Sequence, residues 1–130
     1  MFKTLIVEDN QTFRETFRDY LKGNFSSMIV EEASNGKEAM EKIETLIPDL
    51  VFIDIRLPNG SGLELTRKIK ATHPDAIIVI LTSYDLPEYR DAAARYGANH
   101  FLVKGSARLE EIIGLVKSFI ARSKSSFPTS

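Results

Sequence analysis

Five short apolar runs rich in β-branched residues restrict the fold of this 130-residue chain more than any other feature. Each run is too short for a helix, and its apolar character on both faces is typical of a buried strand. The runs comprise residues 5–7, 28–30, 50–53, 77–81 and 100–103. The pattern therefore predicts a sheet whose strands are covered on both faces.

The segments between these runs have apolar residues at helical spacing, as in Phe13, Phe17 and Leu21. Strand and helix patterns alternate five times along the chain. This alternation predicts an α/β fold with a doubly wound, five-stranded parallel sheet and right-handed crossovers. We expect the helix over residues 86–96 to pack most weakly, because its inward positions are mostly alanines and tyrosines.

Local signals mark several boundaries of the predicted elements. Asn35 followed by Glu38 has the spacing of a helix capping box, and Ser106 is a candidate N-cap for the last helix. The size and composition predict one domain over residues 1–122. Residues 123–130 have the serine-rich, proline-containing composition of a linker-like tail.

Composition excludes several classes of function. Seventeen basic and eighteen acidic residues leave a net charge of −1, so we expect no direct binding to nucleic acid or to a membrane surface. The absence of cysteine excludes disulfides, thiol catalysis and thiolate-bound zinc, and fits a reducing compartment. No apolar run reaches membrane-spanning length. The expected location is cytoplasmic.

Carboxylates follow two of the predicted strands. Glu8 and Asp9 end the first strand and Asp54 ends the third; in a 2-1-3-4-5 order these strands are neighbours at the switch point, where open α/β sheets bind ligands. A single strand-terminal aspartate is equally well explained as a helix cap. Three convergent carboxylates would repel one another unless a cation lay between them, and oxygen ligands favour Mg²⁺ or Mn²⁺.

Two other strand ends carry complementary groups. Thr82 closes the fourth strand and Lys104 follows the fifth. Either residue alone would be interpreted as a turn residue or a solvated surface lysine. Placed opposite the carboxylates, they indicate a site for an oxyanion beside a metal ion, and a phosphoryl group is such an oxyanion.

These strand ends resemble the motifs of bacterial two-component response-regulator receiver domains, whose fold is the doubly wound, flavodoxin-like one. The resemblance spans roughly residues 3–122, and four weak motifs in the correct order make a strong signal. The motifs are Val7-Glu8-Asp9-Asn10, Asp54-Ile55-Arg56-Leu57-Pro58-Asn59-Gly60-Ser61-Gly62, Leu81-Thr82-Ser83 and Phe101-Leu102-Val103-Lys104.

The resemblance implies a role for each matching residue. Asp54 would be the phosphoacceptor for a sensor histidine kinase, with Lys104 and Thr82 contacting the phosphoryl oxygens. Glu8, Asp9, Asp54 and the backbone carbonyl of Arg56 would hold Mg²⁺ or Mn²⁺. Phe101 would be the switch aromatic coupled to Thr82, although a strand phenylalanine taken alone is an ordinary core residue. The switch would control an output, transcription above all, with homodimer formation on phosphorylation as an open possibility.

The chain departs from the family pattern at three places, and the first is Glu8, which stands where an aspartate often begins the acidic pair. Gly105 follows Lys104 where the family often has a proline, so no cis peptide bond is expected there. This feature resembles receivers of the NarL/LuxR transcription-factor subfamily, which precede a helix-turn-helix domain. We therefore favour an N-terminal module over a stand-alone receiver. Arg56 follows the phosphoacceptor by two residues and could face solvent, pair with Glu8 or Asp85, or shield the acyl phosphate.

Three rival functions share parts of this pattern. A flavin carrier has the same topology, but Glu8 and Asp9 would repel the flavin phosphate. A metal-dependent phosphatase would carry a second acid where Arg56 stands. A receiver-fold interaction module independent of phosphorylation is the more serious alternative, and the complete set of site residues disfavours it.

Overall fold

The computed structural model describes residues 1–125 of the chain, with side chains described through residue 123. Strands and helices alternate along it, and one short hairpin (β4 and β5) interrupts the alternation after the third strand. The elements are β1 (Lys3–Val7), α1 (Gln11–Asn24), β2 (Ile29–Ala33), α2 (Gly36–Leu46), β3 (Leu50–Ile53), β4 (Arg56–Leu57), β5 (Gly60–Ser61), α3 (Gly62–Thr72), β6 (Ile77–Thr82), α4 (Pro87–Arg95), β7 (His100–Val103) and α5 (Leu109–Ser125).

The five long strands form one parallel sheet in the order β2-β1-β3-β6-β7. This is the predicted 2-1-3-4-5 order, because β6 and β7 are the fourth and fifth predicted strands. The register pairs Val7 with Ile53 and Ile53 with Ile80. The central strands therefore end at nearly the same level, and the residues that follow them share one edge of the sheet.

Two apolar cores lie on opposite faces of the sheet. Alternate strand residues point to opposite faces, so Val51 belongs to the core under α2, α3 and α4, while Phe52 belongs to the core under α1 and α5. Both side chains are essentially inaccessible to solvent. The fully apolar strands predicted from the sequence are thus explained by helices on both sides.

The predicted helix boundaries are correct at α2 but wrong before α5. Asn35 caps α2 by accepting a hydrogen bond from the Glu38 amide at 2.9 Å. Ser106 is not the N-cap of α5, which begins at Leu109. The amide of Ser106 instead donates to the Val103 carbonyl at 3.1 Å, because the chain makes a turn after β7 before entering the helix.

Helix α4 is packed as weakly as its sequence predicts, with Ala93 as its buried residue. At the other end of the chain, α5 runs to Ser125. The predicted tail therefore begins within α5, and its residues 126–130 lie outside the described part. Among residues 1–125, no helix is long and apolar enough to cross a membrane.

Candidate functional site

Three carboxylates meet where β1 and β3 end. Glu8 and Asp54 are 3% and 7% exposed, whereas Asp9 is exposed to solvent. One oxygen from each side chain lies within 4.8 Å of the others. The parallel pairing of β1 with β3 causes this convergence, since the Asp54 amide donates to the Val7 carbonyl at 3.1 Å.

Burial raises the free-energy cost of ionising the Glu8 carboxylate. Desolvation raises its pKa above the usual glutamate value, and the neighbouring charge of Asp54 adds to this rise. The Lys104 ammonium and the amide of Asn10, which donates to Glu8 at 3.0 Å, oppose the rise without cancelling it. A pocket of this kind is stabilised when positive charge lies beside it.

Lys104 supplies one such charge. Its ammonium donates to Asp54 Oδ2 at 2.9 Å and also bonds Glu8. Burial by itself would lower the pKa of Lys104, but the hydrogen bonds to Glu8 and Asp54 outweigh burial and raise it. The ammonium therefore stays charged near neutral pH, held between two carboxylates from other strand ends.

Thr82 contacts the other oxygen of Asp54. The threonine is fully buried, and its hydroxyl donates to Asp54 Oδ1 at 2.8 Å. The Arg56 amide approaches the same oxygen at 3.4 Å. The Asp54 carboxylate thus has a cationic donor on one oxygen and a hydroxyl donor on the other.

Arg56 lies against the aromatic ring of Tyr84, a contact that the sequence analysis does not predict. Its exposed guanidinium lies 4.4 Å from the centroid of the Tyr84 ring. Asp85, one of its anticipated partners, pairs with Arg90 at 2.6 Å. The equal spacing of Arg56 after Asp54 and of Tyr84 after Thr82 was the available signal.

Phe101 is half-buried on β7 and packs against the core under α2, α3 and α4. Its pairing with Ile80 on β6 places it on the strand adjacent to Thr82. The Arg90 guanidinium of α4 lies 4.7 Å from the centroid of the Phe101 ring. The predicted switch residues therefore occupy neighbouring strands, next to the most weakly packed helix.

Comparison with known families shows the family to which the chain belongs. Residues 4–117 match the model of the response regulator receiver domain family. The chain belongs to this family. The match covers the parallel sheet except for Lys3 of β1, and it includes the residues Glu8, Asp9, Asp54, Thr82 and Lys104. Two-component receiver domains are switch domains rather than conventional enzymes.

Relatives and solved structures resemble this receiver domain over nearly its whole length. It is 34% identical over 122 residues to the response regulator MprA of Mycobacterium ulcerans, covering 94% of this chain and 51% of that protein. It is 30% identical over 125 residues to the transcriptional regulatory protein YesN of Bacillus subtilis, covering 95% and 34% respectively. The chain thus spans about half or less of these relatives.

Among solved structures, the receiver domain superimposes on a LuxR-family two-component response regulator from Aurantimonas sp. SI85-9A1 with a TM-score of 0.83. The two are 27% identical, and the alignment covers 92% of this chain and 85% of that one. No cis peptide bond occurs among the described residues, so the peptide after Lys104 is trans, as the glycine at position 105 predicts.

The donor set of the acidic pocket fits a divalent cation that prefers oxygen ligands. Carboxylates supply the convergent atoms, and neither histidine belongs to the cluster. Asp9 is exposed, which gives an ion access from solvent, while Glu8 and Asp54 are buried. The receiver domain therefore has an acidic pocket suited to a divalent metal ion.

Gly62 lets the start of α3 lie against the backbone of Asp54. A Cβ at this position would lie 2.0 Å from the carbonyl oxygen of Asp54. We expect Gly62→Ala to lower the free energy of unfolding by about 3 kcal/mol, because backbone must shift to relieve the overlap. Urea unfolding followed by circular dichroism measures this change.

Gly114→Ala is the matched control for that substitution. Gly114 lies exposed within α5 and has open space around its Cβ position. Alanine there should stabilise the domain by roughly 0.5–1 kcal/mol through helix propensity. Equal stability of the Gly62→Ala variant and the wild type would contradict the close approach to Asp54.

Proposed function

We propose that Asp54 accepts a phosphoryl group from a phosphohistidine of a sensor histidine kinase and that this modification switches the receiver between two states. The observation that carries the proposal is the environment of the Asp54 carboxylate. It is buried, bonded by Thr82 and Lys104 on separate oxygens, and adjacent to Glu8 and Asp9. Such an arrangement holds a nucleophile and complements a phosphoryl group.

In the transfer step, a carboxylate oxygen of Asp54 forms a bond to phosphorus as the bond between phosphorus and the donor imidazole nitrogen breaks. The electron pair of the broken bond returns to the imidazole. The Lys104 ammonium neutralises charge on the transferred oxygens, and the Thr82 hydroxyl donates to one of them. When bound, Mg²⁺ or Mn²⁺ supplies further positive charge to these oxygens.

Glu8, Asp9 and Asp54, with the backbone carbonyl of Arg56, are the residues that would hold this metal. Their role rests on the convergence of the three carboxylates and on the resemblance to receiver domains. The metal would also offset the repulsion that raises the pKa of Glu8.

Switching begins at the hydrogen bond between Thr82 and Asp54. Phosphorylation changes the acceptor that this hydroxyl faces, and Thr82 ends the strand beside Phe101. A shift of Thr82 would move the following loop, and the weak packing of α4 lowers the cost of a second arrangement there. We propose the surface of α4, β7 and α5 as the output face.

The proposed output is control of transcription. YesN, a relative of this receiver domain, is a transcriptional regulatory protein, and a similar solved structure belongs to the LuxR family. The receiver would then work as part of a longer regulator in the cytoplasm, with a sensor histidine kinase as its partner. Homodimer formation on phosphorylation is one way for it to act on a second domain.

The test adds Mg²⁺ with beryllofluoride, a stable mimic of the phosphoryl group, and follows the amide nuclear magnetic resonance spectrum of the chain. We expect changes at residues 8–10, 54–56 and 82–104. Incubation with a small acyl-phosphate donor should add one phosphoryl group, and fragmentation should locate it on Asp54. No spectral or mass change would favour the module that is independent of phosphorylation.

Arg56 and Tyr84 make a separate prediction about the phosphorylated state. Their contact joins the segments that follow β3 and β6, and we propose that it covers the approach to the acyl phosphate. Arg56→Ala should shorten the phosphate lifetime about two- to fivefold, the rate equivalent of an exposed cation–π contact of roughly 0.5–1 kcal/mol. Decay of the phosphorylated mass with time measures this effect.

Arg67→Ala is a suitable control for that prediction, because Arg67 is exposed on α3 and pairs with Glu64. This substitution removes the same charge without touching the loops around the site. An acyl-phosphate lifetime in Arg56→Ala equal to that in the wild type would show that the contact between Arg56 and Tyr84 does not limit the access of water.

A further inference from the structure

Arg14, in the first turn of α1, reaches back to the backbone of the acidic pocket. Its guanidinium donates from Nη1 to the main-chain carbonyl of Glu8 at 2.8 Å and from Nε to the Glu32 carboxylate at 2.9 Å. The side chain is only 14% exposed. A largely buried guanidinium with two such partners has little freedom to leave its place.

The carbonyl that Arg14 binds belongs to the peptide between Glu8 and Asp9. The amide on the other side of Glu8 donates to the Ala33 carbonyl at 3.0 Å. Both main-chain groups of Glu8 are therefore tied to neighbouring structure. Rotation of the peptide that Arg14 holds would change the direction of the Asp9 side chain, which is exposed and follows immediately.

We infer that Arg14 is a positioning residue for divalent-cation binding. By holding the Glu8 carbonyl, it keeps the peptide between Glu8 and Asp9 in the orientation that brings both carboxylates near Asp54. This inference rests on the metal site of the proposed function, and it assigns to Arg14 a role through the backbone rather than through contact with the ion.

A simpler explanation is that Arg14 only fastens α1 to β2 through Glu32. Arg18, one helical turn further, tests that explanation, because it donates to the other oxygen of Glu32 at 2.7 Å. Substituting glutamine for either arginine removes one positive charge and one contact with Glu32. Only the Arg14 substitution also removes the bond to the Glu8 carbonyl.

The loss of charge and the loss of positioning in an Arg14 variant predict opposite changes in the affinity for a cation. Loss of a positive charge near the pocket favours binding of a cation, by Coulomb's law. Loss of positioning weakens binding, because the carboxylates no longer converge. A weaker affinity in Arg14→Gln than in the wild type therefore identifies the structural role of the guanidinium rather than its charge.

The experiment titrates the whole chain with Mg²⁺ alone and follows the amide signals of residues 8–10 and 54–56. Arg14→Gln should raise the dissociation constant about tenfold, as loss of a supporting contact to metal ligands commonly does. Arg18→Gln should stay within about twofold of the wild type, since its more distant charge is screened by salt. Thermal unfolding should be similar for the two variants.

If Arg14→Gln does not fold, Arg14→Lys is the alternative variant, because it keeps the positive charge at this position. A lysine has a single ammonium in place of the guanidinium that spans two acceptors, so Mg²⁺ binding should again be weaker than in the wild type. Unchanged or tighter binding in the Arg14 variants would overturn the inference, as would equal weakening in Arg14→Gln and Arg18→Gln. Failure of the wild type to bind Mg²⁺ would instead remove the proposed metal site, and this inference with it.

Discussion

Asp54→Asn is expected to abolish the phosphoryl mass gain that the wild type shows with Mg²⁺ and an acyl-phosphate donor. An amide is a poor nucleophile, while its size and remaining oxygen preserve the contact with the Thr82 hydroxyl. The substitution therefore removes the reacting group with little change in packing. Intact-mass measurement over a time course distinguishes abolition from slowing.

Asp19→Asn is the control for this prediction. Asp19 is an exposed aspartate on α1 that pairs with Arg18, away from the acidic pocket. The Asp19→Asn variant should gain the phosphoryl group at the rate of the wild type. A full mass gain in Asp54→Asn would show that another residue is the acceptor and would refute the proposed role of Asp54.

Lys104→Met is the second substitution with a large expected effect. Methionine retains the length of the side chain but removes the ammonium that bonds Asp54 and Glu8. Without a charge to stabilise the transferred oxygens, the initial phosphorylation rate should fall by about 10²–10³, as on loss of one oxyanion donor. The initial slope of the mass gain measures the rate.

Two comparisons separate this loss of catalysis from a loss of structure. Removal of a competing ammonium should leave Mg²⁺ binding at least as tight as in the wild type, because the carboxylates of Glu8 and Asp54 remain. Lys22→Met, at an exposed lysine in the last turn of α1, should phosphorylate normally. Phosphorylation of Lys104→Met at the rate of the wild type would exclude a role for the ammonium.

The strands, the helices and the position of Asp54 after a strand were predictable, because they depend on patterns that repeat locally. The order of the strands was predicted from the doubly wound fold class, not from a local pattern. A strand buried on both faces must be apolar throughout, and a helix on the sheet needs one apolar stripe. Residues 50–53 show the first pattern and α5 the second. Once the strand order is known, Asp54 must lie at the edge shared with Glu8.

The prediction failed where a boundary depended on one turn rather than on a repeated pattern. Ser106 has the chemistry of an N-cap, yet the backbone after β7 turns on the Val103 carbonyl before α5 begins. The turn after β7 outweighed the local N-cap preference of Ser106.

The sequence by itself determined the α/β alternation and the placement of Glu8, Asp9 and Asp54 at the carboxyl ends of strands. These follow from periodicity and from the shared direction of parallel strands. Only the tertiary structure decided which atoms touch: the ammonium of Lys104 on two carboxylates, the Arg14 guanidinium on a backbone carbonyl, and Arg56 on the Tyr84 ring. Such contacts depend on side-chain directions and on packing between distant segments, which no local pattern encodes.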